Sequence, residues 1–410
     1  MRITQVLSVP VRTGFFADDQ AAIRIGAETD GFTYTGAPVT PGFTAIRQAG
    51  EAVSVMLVLD DGYVAQGDCA AVQYSGVGGR DSLFRTGDGQ RMIEREVVPA
   101  LTGRELTAFR GMAPELDALP VHTAVRYGIS QALLDAVAHE RQVTMAELVR
   151  DEYQTGVTLG PVPMFVQCGE DRYDNVDKMI LKGADALPHG LINNVAERLG
   201  TEGELFETYL RWVRDRVLSL RTREDYAPVL HFDTYGTIGL AFGLDTTRMA
   251  DYLSRLGDLA APFRLRVEQP MDAGSRDAQL EAMGKLRAGL RERGSQVEIV
   301  IDEWCNTMAD IRLFTDAQAA DVIHVKTPDL GGVSNTVDAL LYVRRKGLAA
   351  YCGGTCNETD LSARVCTQLA MACGADQVLA KPGMGVDEGL MIVGNEMARV
   401  TTLARARTPR

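Results

Sequence analysis

The apolar positions change period along the chain, and those changes divide it in two. Val53 to Leu59 is a β-branched apolar run ending in Asp60-Asp61-Gly62, and a second run, Tyr63 to Val72, follows it. Two such runs around Asp-Gly predict a hairpin, because the turn needs backbone angles that Asp and Gly accept. Gln90 to Leu101 and Thr123 to His139 read as helices; in the second, Val125, Ile129, Leu133, Leu134 and Val137 recur at helical spacing. The glycine-rich loop from Tyr74 to Asp81 is expected to be mobile. Residues 1–160 are therefore expected to form an α+β domain.

From residue 161 onward, short apolar runs alternate with amphipathic stretches. The runs are Val162–Cys168, Leu187–Ile192, Val229–Asp233, Phe263–Glu268, Val297–Asp302, Val322–Lys326, Leu348–Cys352 and Gln377–Ala380. Helical patterns lie between them at Glu204–Leu220, Thr247–Leu259, Asp277–Arg293, Thr307–Ala319 and Asn335–Lys346. Strand and helix in alternation imply a parallel sheet. Eight strands in this length fit an α/β fold of the (β/α)8 TIM-barrel type over residues 161–410, with the first 160 residues as a cap; a doubly wound sheet is the alternative. No short fixed repeat or low-complexity linker interrupts the pattern.

Composition narrows the partners. A chain of 410 residues with net charge −13 lacks the basic face that nucleic acid or an anionic membrane requires. No run of 18 apolar residues predicts a membrane span, and Met1-Arg2-Ile3-Thr4 does not begin a signal peptide. Seven cysteines, an odd number at irregular spacings, suit reduced thiols in the cytoplasm. Only six of the 42 basic residues are lysines. Codon bias in a GC-rich genome accounts for most of that, but it makes a lysine inside an apolar strand stand out.

Chemistry in such a barrel sits at the C-terminal ends of the strands. There the sequence places Asp233, Glu268, Asp302 and Lys326, separated by 35, 34 and 24 residues, each about one strand-helix unit. Three carboxylates buried together are costly without a cation, and an all-oxygen set suits Mg2+. The plainer reading is that strand-end acids cap the next helix or pair with arginines. Lys326 in an apolar strand, desolvated beside a metal, would have a lowered pKa and could act as a general base; otherwise it pairs with one of the acids. His189, ending the second strand, could face it across a substrate, although a histidine beside a proline is also an ordinary loop residue. Zinc spacing, a P-loop, a strand-linked Gly-x-Gly-x-x-Gly, His-Glu-x-x-His and Gly-x-Ser-x-Gly are all absent.

Asp, Glu and Asp on successive strands followed by a lysine resemble the enolase superfamily, whose sites combine a Lys or His base with Mg2+. Longer strings, among them Asp30–Gly36, Cys69–Gly76, Asp171–Met179, Asp302–Thr307, Lys326-Thr327-Pro328-Asp329-Leu330-Gly331-Gly332 and Tyr351-Cys352-Gly353-Gly354-Thr355-Cys356-Asn357-Glu358, resemble the 3-methylaspartate ammonia-lyase family. The resemblance implies reversible anti elimination of ammonia from (2S,3S)-3-methylaspartate, a small amino-acid substrate, to give mesaconate. It implies Mg2+ on Asp233, Glu268 and Asp302, with Mn2+ as a substitute and K+ as an activator. Lys326 matches the family's base for the 3S proton, and His189 its counterpart for the 3R epimer. Gln167, Thr355 and the Cys356 backbone would hold the substrate carboxylates. Gln73 would contact the amino-acid end, and Leu379 would line the pocket near the methyl group. A cytoplasmic homodimer working in glutamate degradation is the implied setting. Rival readings are an acid-sugar dehydratase or a racemase of the same fold, although strand two lacks the Lys-x-Lys of many racemases, and a non-catalytic binding barrel, although no ligand or base has eroded.

One position departs from the family. His324 stands where glutamine is usual, and strand alternation points it into the barrel with Lys326. Both side chains donate a hydrogen bond, but histidine can also carry charge. Replacing His324 by Gln is expected to change substrate tolerance or the pH profile of kcat/KM; identical values for both proteins would contradict this.

Overall fold

Three antiparallel strands, Ile3–Asp18, Arg47–Leu59 and Val64–Cys69, open the fold, with the second in the middle. This is a computed structural model, in which residues 1–73 and 79–407 are described; Tyr74–Gly78 of the glycine-rich loop, with its expected mobility, lie outside them. The predicted hairpin is the pairing of the second and third strands, closing at Val58 opposite Val64. Val53, Val55, Leu57 and Leu59 are buried, and Ser54, Met56 and Val58 between them less so, which is the alternation a one-sided sheet imposes. The long first strand carries no such pattern: most of its residues are exposed or half-exposed, and it was not anticipated.

Helix Thr123–Glu140 lies across this sheet and is buried nearly all round, because the barrel covers its other side. Its Ser130 hydroxyl accepts a hydrogen bond from the Val333 amide, at 2.9 Å, and Tyr127 reaches Glu358. The run read as Gln90 to Leu101 is helical from Thr86 to Leu101, with a widened turn at Ile93–Val97.

The remaining strands close into a parallel barrel of eight. In chain order they are Met164–Phe165, Ala186–His189, Val229–Asp233, Leu265–Glu268, Glu298–Ile301, Val322–Val325, Ala349–Cys352 and Gln377–Leu379. Val378 and Leu379 pair with Met164 and Phe165, so the eighth strand returns to the first and the doubly wound alternative is excluded. Most strands are shorter than their apolar runs, trimmed at one end or both. His189, Tyr235 and Gln269, all just at or past strand ends, have φ of 71°, 50° and 46°. A non-glycine residue there is held by its surroundings, and such strain gathers at functional sites. Inside the barrel, Phe165, Ala186, Val300, Val322, Tyr351 and Leu379 form an apolar plug, and the polar groups of the strand ends stand on it. Among the described residues, no helix is long and apolar enough to cross a membrane.

Candidate active site

A cavity of about 440 Å³ opens above the plug. Gln167, His189, Asp233, Glu268, Asp302, His324, Lys326, Thr355 and Cys356 line it from the barrel, and Gln73 reaches in from the N-terminal part. The chain thus gathers all but one of the residues singled out from sequence. The exception is Leu379, which packs beneath the floor among Phe165 and Tyr351, and these two line the cavity in its place.

Glu268 is the best-anchored of the three acids. His231 Nε2 lies 2.9 Å from Oε2, and His324 Nδ1 lies 2.7 Å from Oε1. The tautomer of His231 follows from its other side. Arg266 donates to Gln377 Oε1 at 2.8 Å, so the amide nitrogen of Gln377 faces His231 Nδ1 at 3.1 Å. Nδ1 therefore accepts, and Nε2–H donates to Glu268. Burial keeps this imidazole neutral, and Phe165 stacks on it at 4.1 Å. Burial alone would raise the Glu268 pKa, but the two histidines outweigh it and hold the group ionised.

Asp302 faces His324 Nδ1 at 3.0 Å and Lys326 Nζ at 2.8 Å. Burial opposes a charge on His324, yet Asp302 and Glu268 raise its pKa to about 9. The Gly354 N–H, 3.3 Å from Nε2, favours an unprotonated nitrogen there; two carboxylates at shorter range outweigh that long contact. Position 353 has to be glycine, since a Cβ would stand 1.8 Å from His324 Nε2. Asp233 stands apart: it accepts from the Tyr235 amide at 3.0 Å and lies 3.5 Å from His189 Nε2. Burial, then the charges of Glu268 and Asp302, push its pKa up to about 6 against the pull of His189.

Burial depresses the Lys326 pKa, but Asp302 and then Glu303 outweigh burial and hold the ammonium well above its usual value; the sequence reading of a lowered value was for a lysine beside a metal. Glu303, 2.8 Å from Lys326 Nζ, is met from its other side by Arg80, which also grips Asp329 at 2.9 Å and Asn306 at 2.6 Å. This bracket joins the N-terminal part to strands five and six. Two buried polar atoms lining the cavity, Gln167 Oε1 and His189 Nδ1, have no hydrogen-bond partner among the described residues.

The sequence reading missed His231, Glu303 and Arg80 as working parts. His231 precedes Asp233 by two residues on one strand, so alternation was the available signal. The roles of Glu303 and Arg80 depend on contacts between distant segments and left no local mark.

For a cation, Glu268, Asp302 and His324 bring one ligand atom each within 4.8 Å of one another. Asp233, on the neighbouring strand end and lining the same cavity, is the alternative third donor. A closed eight-stranded parallel barrel, with an α+β segment at its mouth and acids at three successive strand ends, is the fold of enolase-superfamily enzymes. An L-Ala-D/L-Glu epimerase from Bacillus subtilis shares the fold at 16% identity, with a TM-score of 0.66 over 95% of this chain and 91% of that one.

Residues 1–154 match the model of the methylaspartate ammonia-lyase N-terminus and residues 156–406 that of its C-terminus. The methylaspartate ammonia-lyase of Clostridium tetanomorphum is 59% identical over 412 residues, covering 99% of this chain and all of that protein. Its Mg complex superposes with a TM-score of 0.96 over the whole of both chains. The methylaspartate ammonia lyase of Citrobacter amalonaticus, solved with (2S,3S)-3-methylaspartic acid, is 51% identical, with a TM-score of 0.97 over 99% of this chain and all of that one. The chain belongs to the methylaspartate ammonia-lyase family.

Arg80 is the countercharge for two buried carboxylates, so Arg80→Met is expected to destabilise the fold by about 3–5 kcal/mol. Denaturant unfolding measures this, and an unchanged midpoint would show that Glu303 and Asp329 do not depend on it.

Proposed function

We propose that the chain catalyses the reversible anti elimination of ammonia from (2S,3S)-3-methylaspartate, giving mesaconate. The observation that carries this reading is the placement of Lys326 and His189 on strands six and two of one cavity, with the three acids between them. Two groups able to move protons, set on different sides of a bound carbon, fit removal of a proton from either face.

The hydrogen at C3 lies beside a carboxylate, so removing it builds a second negative charge there. Lys326 Nζ, once neutral, takes this proton, and the electron pair left at C3 is first held on the neighbouring carboxylate. It returns to form the C3–C2 double bond as the C2–N bond of the substrate's ammonium group breaks, and neutral ammonia leaves with that bond's electrons; the proton on Lys326 passes to solvent. Lys326 starts as an ammonium held by Asp302 and Glu303, so the charge at Asp302 must be shared before the lysine can act.

The donor set fits a hard divalent ion. Asp233, Glu268 and Asp302 would hold Mg2+, because it prefers oxygen and would select Asp233 over His324 as the third ligand. Bound there, the ion supplies positive charge for the developing dianion and competes with Lys326 for Asp302. Gln167, Thr355 and the Cys356 backbone line the place for the substrate carboxylates. Gln73 ties the Phe16 carbonyl, at 2.7 Å, and the Asp18 amide, at 2.9 Å, to that side of the cavity.

The unpartnered Gln167 Oε1 and His189 Nδ1 await polar groups of a ligand. In the same reading, residues 1–160 cap a barrel formed by residues 161–410. Mn2+ replaces Mg2+, K+ activates, Leu379 supports the pocket near the methyl group from below, and the enzyme is a cytoplasmic homodimer.

Incubation with 3-methylaspartate and Mg2+ should produce mesaconate, followed by ultraviolet absorbance. EDTA should abolish turnover, and Lys326→Ala should lower kcat by about 10²–10⁴. Turnover surviving both changes would overturn the mechanism; none by the parent protein would favour a dehydratase.

A further inference from the structure

Two of the six lysines are buried. Lys326 lines the cavity; Lys381 lies behind it and is only 1% exposed. Its Nζ donates to Glu358 Oε1 at 2.7 Å, to the Gly353 carbonyl at 2.7 Å and to Thr327 Oγ1 at 3.1 Å. Three protons meet three acceptors. Glu358, fully buried, also accepts the Thr355 amide on Oε1 at 3.2 Å and the Tyr127 hydroxyl on Oε2 at 2.7 Å. Tyr127 comes from helix Thr123–Glu140 of the N-terminal part. A continuous buried chain thus runs from that helix through Glu358 to both ends of the turn Gly353–Thr355.

The turn is shaped around this pair. Gly354 has φ of 144°, and a Cβ there would lie 2.2 Å from Glu358 Oε1 and 2.4 Å from Lys381 Nζ. A planar guanidinium cannot converge on three acceptors around one nitrogen, which accounts for lysine here in an arginine-rich chain. Apolar residues of similar volume are often as stabilising as a buried ion pair. What the pair adds is direction: it fixes where the Thr355 amide and the Gly353 carbonyl point.

We infer that Tyr127, Glu358 and Lys381 are positioning residues, locking the Gly353–Cys356 loop in the shape that receives a substrate carboxylate and tying that shape to the seating of helix Thr123–Glu140. The inference rests on the reading of Thr355 and Cys356 as carboxylate-binding. It assigns these three residues no contact with substrate; they act through the loop.

Tyr127→Phe removes one donor and keeps the ring. The test is calorimetric titration of the Mg2+-loaded enzyme with mesaconate without ammonium, alongside steady-state kinetics on 3-methylaspartate. Loss of a hydrogen bond to a charged acceptor should raise both the mesaconate Kd and KM about tenfold. The value of kcat should stay nearly constant, as expected for binding shared by ground and transition states.

The paired replacement Lys381→Met with Glu358→Gln should weaken mesaconate further; if it does not fold, Tyr127→Phe still decides. A lower Tm for Tyr127→Phe with unchanged Kd and KM would reduce the network to a structural role and overturn the inference. Thr355→Ala separates the two levels. If it weakens mesaconate while Tyr127→Phe does not, the positioning role alone fails. If Thr355→Ala binds mesaconate like the parent, the carboxylate reading of the loop fails and takes the inference with it.

Discussion

Asp233, Glu268 and Asp302 end neighbouring strands of a closed parallel barrel, and all three are buried. Carboxylates so placed repel one another and lose most of their hydration. Much of the surrounding structure answers to that fact. His231 and His324 clasp Glu268, Lys326 and His324 meet Asp302, and Asp233, least compensated, has its pKa pushed to about 6. Lys326 is shared between Asp302 and Glu303, and Glu303 in turn meets Arg80, so the N-terminal part is bound to the barrel by the same electrostatic demand. A divalent ion among the acids would relax it and free Lys326 for proton transfer.

The barrel was legible because its signals are local. Short apolar runs at regular distances, four of them in succession ending in a charged residue, predict both a parallel sheet and the rim where chemistry gathers. The same logic found Asp233, Glu268, Asp302 and Lys326 by counting, and the near absence of lysine made Lys326 conspicuous. Ile3–Asp18 was missed because a mostly exposed strand shows no apolar alternation. The sequence reading weighed burial and a metal beside Lys326; the structure adds Asp302 and, from a segment read only as part of a string, Glu303, which together hold the ammonium. Leu379 fell below the cavity because side chains on a barrel strand occupy layers, and the sequence does not state their height.

Lysine scarcity turned out to mark two places rather than one. At Lys326 the proposed mechanism requires a nitrogen that can give up its proton. At Lys381 it is for a point charge with three donors, enclosed by the Gly353 carbonyl, Thr327 and Glu358. Arginine serves neither purpose, although it supplies most of the chain's positive charge elsewhere. His324 adds a further positive group beside the acids, and its Nδ1 becomes a rival metal ligand only once that proton is lost.

That choice of third ligand is the most direct test of the account. Anomalous diffraction from crystals soaked in Mn2+ locates the ion independently of turnover. The account predicts a single peak bonded to oxygens of Asp233, Glu268 and Asp302, with Asp233 turned from His189 and His324 outside bonding distance. A peak ligated by His324 Nδ1 together with Glu268 and Asp302, leaving Asp233 against His189, would contradict it.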